Sequence, residues 1–336
     1  MVQYILILYK KDNKMDNINN FKLAIEKAET ILVVSHVNPD GDTLSANLAL
    51  VHSIKKHFNK KAIPVYVGNI PAVYKFLPGI EKFVNVSNID RKEIYDLVIA
   101  VDIAAKDRMV DALELFTKAK CNVNIDHHKT NNNYGKLNYV DVDACSAGEV
   151  VFNILAEINA EISKDIATCI YTSILTDTGC FKYEKTTSKT FDIASKLVGY
   201  GASPSEIARE CYDTKPQNMV QFQVNALNNA KFLEDGKIAY TIVTLDDMKK
   251  FNASNEHTDG ISEALRQIKT VEVAILLKET ENNQTKVSLR SKNIDVSKIA
   301  SNFNGGGHTF AAGCTIKKPP SVAINKLLEY IMSEMK

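Results

Sequence analysis

Apolar residues follow two different rhythms along this chain. Between residues 16 and 180, short apolar runs alternate with longer stretches in which apolar residues recur every three or four positions. Ile31–Ser35, Ala62–Val67, Asp96–Asp102 and Cys121–Asp126 read as strands. The run Leu97-Val-Ile-Ala-Val101 has no alternation, as expected of a strand covered on both faces. Phe21–Thr30, Leu44–Phe58 and Arg108–Lys118 read as helices, the second from the spacing of Leu44, Leu48, Val51, Ile54 and Phe58. Strands alternating with helices predict βαβ units on a parallel sheet.

From about 146 to 231 the pattern is almost wholly helical, with Ser163 as the N-cap of Ser163–Thr176 and with Gly199 and Gly201-Ala-Ser-Pro204 as punctuation. Strands return at Lys237–Thr244, Val271–Leu277 and Lys286–Leu289, between helices at 256–268, 295–302 and 321–335. The expectation is an α/β protein in three parts: a parallel-sheet N-terminal domain at 15–200, a helical connector at 201–230, and a smaller mixed-sheet α/β domain at 231–336.

Composition narrows the choice. The 336 residues are 45% apolar with a formal net charge of +1, and no basic run exceeds two residues. That balance speaks against a protein that grips long duplex nucleic acid, but not against short anionic substrates. The six cysteines form no C-x-x-C pair, as expected of buried thiols in a reducing cytoplasm. Val2–Tyr9 is apolar but far too short to span a bilayer and lacks the flanks of a signal peptide. Met15 reads as the natural start, with residues 1–14 a disordered or non-native extension, and no membrane association is expected.

The candidate chemistry is concentrated in two strings, His36-Val-Asn-Pro-Asp40-Gly-Asp42 and Asp126-His127-His128, with Asp102 and Asp177 beside them. All but Asp177 fall at a predicted strand end or in the turn after it, where an open α/β sheet binds its ligands. Asp177 ends a helix. Taken singly, each is an ordinary cap or turn residue; their co-occurrence in one domain sets them apart. Asp40, Asp42, Asp102 and Asp177 carry −4, which two divalent cations balance. A mixed carboxylate and imidazole set suits Mn2+, with Mg2+, Fe2+ or Co2+ as alternatives, and such a pair serves phosphoester hydrolysis.

With these residues in view, the chain resembles the DHH phosphoesterase superfamily. The resemblance rests on Ser35-His-Val-Asn-Pro-Asp-Gly-Asp42, Val101-Asp102, Asp126-His127-His128 and Thr176-Asp-Thr-Gly-Cys-Phe-Lys-Tyr183. It implies one metal held by His36, Asp40 and Asp102, and a second held by Asp42, Asp102, His127 and Asp177, with Asp102 bridging. It further implies that Asp126 orients an imidazole and that His128 contacts phosphate or acts as an acid. One departure is Thr43-Leu-Ser-Ala46, where the family usually has Ala, an apolar residue, Gly and Ser.

Ser288-Leu-Arg290-Ser291-Lys292 and Asn304-Gly305-Gly306-Gly307-His308 mark the second domain. Three glycines let backbone N–H groups approach an anion, with a helix expected behind them, and Arg290 and His308 add donors. The string resembles the DHH-associated domain, which implies substrate binding by Arg290, Ser291, Gly305, Gly306, Gly307 and His308 in a closing two-lobed cleft. The layout is most similar to the bacterial nanoRNase/pAp-phosphatase group. That implies hydrolysis of short RNA oligonucleotides or small nucleotide phosphates such as 3′-phosphoadenosine 5′-phosphate, and a homodimer. Cleavage of cyclic di-AMP or pApA is the neighbouring alternative. A sensor that binds nucleotide or RNA without catalysis is the alternative of another class, disfavoured because all six expected ligands are present.

Overall fold

A computed structural model of the chain describes residues 17–335; the expected extension at 1–14 lies outside the described residues. The chain divides into two compact units, with the boundary between Thr214 and Lys215.

In the first unit, α1 (Ile18–Lys27) leads to β1 (Ile31–Val37), α2 (Gly41–Phe58), β2 (Ala62–Val67), β3 (Val84–Asn85), β4 (Leu97–Val101), α3 (Leu113–Lys118), β5 (Cys121–Asp126) and β6 (Leu137–Val140). Helices α4 (Ala147–Glu157), α5 (Lys164–Asp177), α6 (Ser188–Gly199) and α7 (Pro204–Ala208) follow. The six strands run in the order β3-β2-β1-β4-β5-β6, and every neighbouring pair is parallel. Strand order therefore reverses between β1 and β4, the place where such a sheet opens a crevice at its carboxyl edge.

The unbroken apolar runs are explained by cover on both faces. Ile31, Val33, Ile99, Val101, Val123 and Ile125 pack with α2, α4 and α5 residues such as Leu44, Val151 and Ile170. Leu32, Val34, Val98 and Ala100 face the other way, onto Met109, Leu115 and Phe116. Burying a large aliphatic side chain on either face contributes about 1.5–3 kcal/mol.

The helix expected at Arg108–Lys118 differs from the structure. Lys106–Ala112 is a 3-10 turn broken at Val110 (φ 46°, ψ −115°), and regular α-helix starts only at Leu113.

The second unit runs α8 (Gln217–Asn228), β7 (Lys231–Leu233), β8 (Ile238–Val243), α9 (Leu245–Lys250), α10 (Ile261–Arg266), β9 (Val273–Thr280), β10 (Gln284–Ser291), α11 (Val296–Ser301), β11 (Gly306–His308), β12 (Ala311–Ile316) and α12 (Pro320–Glu334). Its sheet, ordered β11-β12-β10-β9-β8-β7, is mixed: only β8 and β9 pair in parallel. The stretch expected as a connector is divided by the unit boundary, with α7 in the first unit and α8 in the second. Among the described residues, no helix is long and apolar enough to cross a membrane.

Candidate metal centre

The candidate ligands come from both sides of the switch in strand order. His36 lies inside β1 rather than in the loop after it. Pairing of β1 with β2 slips between Val34 and Val37, and such a bulge re-aims the side chains within it. Asp102 follows β4 directly with φ 60°, a left-handed conformation uncommon outside glycine and held here by a hydrogen bond from its N–H to Ile125 O at 2.9 Å. The unusual Thr43 donates its hydroxyl to Val101 O at 2.9 Å, tying α2 to β4 one residue before Asp102.

Asp40 caps α2. Its Oδ1 accepts the N–H groups of Asp42 and Thr43, both at 3.1 Å, leaving Oδ2 turned toward His36. Gly41 lets the first turn of α2 abut the end of α5, because a Cβ there would come within 2.7 Å of the Thr176 side chain. That approach brings Asp42 to Asp177. Asp42 also accepts the Ala147 N–H at 2.8 Å and the Gly148 N–H at 3.3 Å, at the start of α4, and a hydrogen bond from Ser173 Oγ.

Two donor sets result, with Asp102 between them. His36 Nε2 lies 3.7 Å from Asp40 Oδ2 and 3.6 Å from Asp102 Oδ2. His127 Nε2 lies 3.5 Å from Asp42 Oδ2, 3.4 Å from Asp102 Oδ1 and 3.5 Å from Asp177 Oδ2. These separations exceed those of good N–H···O hydrogen bonds, about 2.7–3.2 Å. Donors about 2.1 Å from a shared ion stand roughly 3.0–3.5 Å apart, which is close to what is seen. Asp102 Oδ1 is buried and has no hydrogen-bond partner, a costly state for a carboxylate oxygen that a cation would relieve. The residues present therefore fit divalent metal ions.

Electrostatics says the same. Burial disfavours a charged His36 or His127, yet the carboxylates around them outweigh it and push each ring up to about 10. Burial, then the charge of Asp102 and Asp177, pushes Asp42 well above the carboxylate range. Burial, with Asp102 and Asp40 adding to it against His127, pushes Asp177 up to about 6. Burial also works against a charged Asp102, but the rings of His127 and His36 overcome it and hold that carboxyl well below its usual range. Without metal, the cluster gathers protons in place of cations.

Asp126 and His128 sit one step back. Fully buried Asp126 pairs through Oδ1 with Nδ1 of His128 at 2.7 Å and accepts from Asn131 Nδ2 at 2.5 Å. His128 Nδ1 is 3.6 Å from Asp102 Oδ1. Sequence reasoning missed four residues that touch this centre: Asn131, Ser173, Lys185 and Arg108. Lys185 Nζ donates to the carbonyls of His127 and Ala144, both at 3.2 Å, and the Arg108 guanidinium lies 3.2 Å from His36 Nδ1. Ser173 had a signal, standing four residues before Asp177 on the same face of α5. The other three had none.

In the second unit, Arg290 donates through Nε to Glu263 at 2.7 Å and through Nη1 to Leu289 O at 3.0 Å. Ser291 is buried and its hydroxyl donates to Ile294 O at 2.5 Å, an internal role. The glycine run is not followed by a helix: it comes after α11 and forms β11, paired with β12. A Cβ at Gly305 would lie 2.2 Å from Gly313 O and one at Gly307 2.4 Å from Ala311 O, whereas one at Gly306 would meet open space. The side chain of His308 lies outside the described residues.

A parallel sheet with clustered carboxylates and imidazoles at its switch point, followed by a separate mixed-sheet unit, defines a two-unit metal-site α/β protein. The chain belongs to the DHH family: the profile of the DHH family, N-terminal domain, matches residues 30–174, and that of the DHHA1 domain matches residues 235–336. It is 32% identical over 289 residues to a probable bifunctional oligoribonuclease and PAP phosphatase NrnA of Streptococcus mutans, covering 86% of this chain and 90% of the relative. It is 29% identical over 308 residues to the bifunctional oligoribonuclease and PAP phosphatase NrnA of Thermus thermophilus, covering 91% and 90%. The crystal structure of an exopolyphosphatase-related protein from Bacteroides fragilis superposes with a TM-score of 0.89 at 26% identity, over 95% of this chain and 97% of that one.

Proposed function

We propose that this chain hydrolyses phosphoester bonds in oligoribonucleotides of a few residues and removes the 3′-phosphate of 3′-phosphoadenosine 5′-phosphate, in the cytoplasm and with two divalent cations, Mn2+ foremost. The observation that carries the reading is that Asp102 stands between two donor sets, Oδ2 3.6 Å from His36 Nε2 and Oδ1 3.4 Å from His127 Nε2, with the buried Oδ1 accepting no hydrogen bond. The names of the relatives in Streptococcus mutans and Thermus thermophilus support the substrate class.

In this reading His36, Asp40 and Asp102 hold one cation, and Asp42, Asp102, His127 and Asp177 hold the other. Bound there, the cations supply Lewis-acid polarisation of the phosphoryl group and a water of lowered pKa. The chain's own residues do the rest. Asp126 fixes the ring of His128 through Nδ1, so Nε2 is the ring atom that carries a transferable proton to the leaving oxygen. Burial of Asp42, Asp102 and Asp126 keeps bulk water from screening the centre. In the second unit, Arg290 and the backbone of Gly306 and Gly307 are the groups assigned to substrate binding, the Gly305 N–H being committed to Ala300 O at 3.0 Å.

The test is a panel of 2–5-mer RNAs, 3′-phosphoadenosine 5′-phosphate, pApA and cyclic di-AMP, compared by kcat/KM with Mn2+. Highest values on the first two are expected. Dominant turnover of cyclic di-AMP, or turnover of pApA with none of the longer RNAs or of 3′-phosphoadenosine 5′-phosphate, would move the assignment to the neighbouring activity, and no turnover of any would favour a binding protein.

A further inference from the structure

Arg108 stands on the 3-10 turn that follows β4, six residues past Asp102. Its guanidinium Nη2 lies 3.2 Å from His36 Nδ1, yet this is no ordinary hydrogen bond. His36 directs Nε2 at Asp40 and Asp102, and its Nδ1 lies 2.9 Å from Val37 O. A carbonyl at that distance requires Nδ1 to carry hydrogen, so Nδ1 has no lone pair to offer the guanidinium. Arg108 is therefore a cation laid against a ligand ring and not bonded to it. No carboxylate pairs with it among the described residues, and its side chain is exposed. The contrast with Lys185 is direct: that cation also touches a ligand ring, but its N–H groups are committed to two backbone carbonyls.

The turn that carries Arg108 is held in an uncommon shape. Met109, the next residue, is fully buried beneath the sheet, and exposed Val110 has φ 46° and ψ −115°. Positive φ at a β-branched residue costs on the order of 1–3 kcal/mol, and surrounding structure must enforce it. Here the anchored Met109 fixes the turn from below, which sets the reach of Arg108 from above.

We propose that Arg108 is a substrate-binding residue, clamping non-bridging oxygens of the phosphoryl group on the His36 side of the centre. A planar fork with uncommitted donors beside a cation site suits a tetrahedral phosphate better than any group the chain itself supplies there. The proposal rests on the phosphoesterase reading and deepens it by naming the group that takes the phosphate charge left over by the cations.

The experiment uses the full chain loaded with Mn2+, as wild type, Arg108→Ala and Arg108→Lys. Affinity for inorganic phosphate and for adenosine 5′-monophosphate is measured by calorimetry, Mn2+ content by elemental analysis, and kcat/KM on 3′-phosphoadenosine 5′-phosphate. Arg108→Ala is expected to retain its metal and to lose about 10- to 100-fold in phosphate affinity and in kcat/KM, the scale of one charged hydrogen-bond pair. Arg108→Lys restores part of the loss, and added guanidinium partly rescues Arg108→Ala. Unchanged phosphate affinity in a fully loaded Arg108→Ala would overturn the proposal, as would loss of metal with the residual loaded fraction normal. Phosphate binding is read without turnover: wild type that binds phosphate through Arg108 yet cleaves none of the panel sinks the activity reading and leaves the clamp standing.

Discussion

Asp126 and His128 form the closest ion pair at the centre, Oδ1 to Nδ1 at 2.7 Å, although the neighbouring ring of His127 follows Asp126 directly in sequence. The carboxylate therefore sets the ring of His128, and neither of the rings of His36 and His127, whose Nε2 atoms lie among the other carboxylates of the cluster. Its other oxygen is held by Asn131, which also donates to Asn124 Oδ1 at 2.8 Å, while Asn124 donates to the Tyr134 hydroxyl at 2.9 Å. This chain of amides under the site holds the Asp126 side chain in place.

Asp126→Asn keeps the shape of that pair and removes its charge. His128 resists protonation through burial, but Asp126 and Asp102 raise it above its ordinary value. Losing the charge of Asp126 lowers it, so the limb of the kcat profile that falls with rising pH moves to lower pH. We expect kcat at neutral pH to drop about 10- to 100-fold, with Mn2+ content unchanged. A pH profile that does not move would refute the assignment of His128 as proton carrier.

Asp102→Ala should abolish turnover, because each of its oxygens faces a different imidazole of a different donor set. Elemental analysis should find the ion count reduced, and kcat should fall by about 10³-fold or more. A variant near the wild-type rate would show that the two sets do not share a ligand.

Metal removal should make stability depend on pH. In the metal-free cluster His36 and His127 are pushed up to about 10 from an ordinary 6.5, so the folded chain holds protons that the unfolded chain releases. That stabilisation is complete below about 6.5 and is lost as pH rises through about 10. Asp177, up to about 6, acts with the same sign at lower pH. Chelator-treated protein should lose Tm steadily from pH 6.5 to 10, and Mn2+-loaded protein should not. Equal slopes for the two forms would contradict the reading.

Gly41→Ala tests how closely α2 meets α5. The added methyl would meet Thr176, whose hydroxyl is fixed to Thr172 O and Ser173 O at 3.0 and 3.1 Å and cannot easily turn away. We expect a loss of about 1–3 kcal/mol in unfolding free energy, with weaker Mn2+ binding because Asp42 and Asp177 are forced apart. Denaturant titration and metal titration report the two effects separately.

Arg290→Ala should raise KM about 10- to 100-fold with kcat nearly unchanged, as expected of a group that holds substrate away from the reacting atoms. A fall confined to kcat would contradict that role.

The sheet was legible from short-range rules, and the residues that gather around Asp102 were legible as clustered carboxylates and imidazoles, their division into ligand sets coming from the family resemblance. Apolar runs covered on both faces leave an unbroken signature, and His36, Asp102 and His127 stand at or beside the carboxyl ends of such runs. Other features depend on contacts that sequence spacing does not encode. The short strands β3, β6, β7 and β11 are the edge strands of the two sheets, with two to four residues and little apolar signal. The glycine run was expected to precede a helix, yet β12 draws it into the sheet, where Gly305 and Gly307 are needed for close packing. Arg108 was hidden inside an apparent helix because the break at Val110 leaves no mark in the residue pattern. Asn131 reaches Asp126 only because the loop between β5 and β6 folds back.

The residues that converge at Asp102 are spread from His36 to Asp177, across three strands and two helices. During synthesis, then, a ribosome must release the whole of α5 before all six candidate ligands can meet. Chains stalled earlier would expose unneutralised carboxylates in a half-built crevice, and would be the forms most readily surrendered to proteolysis.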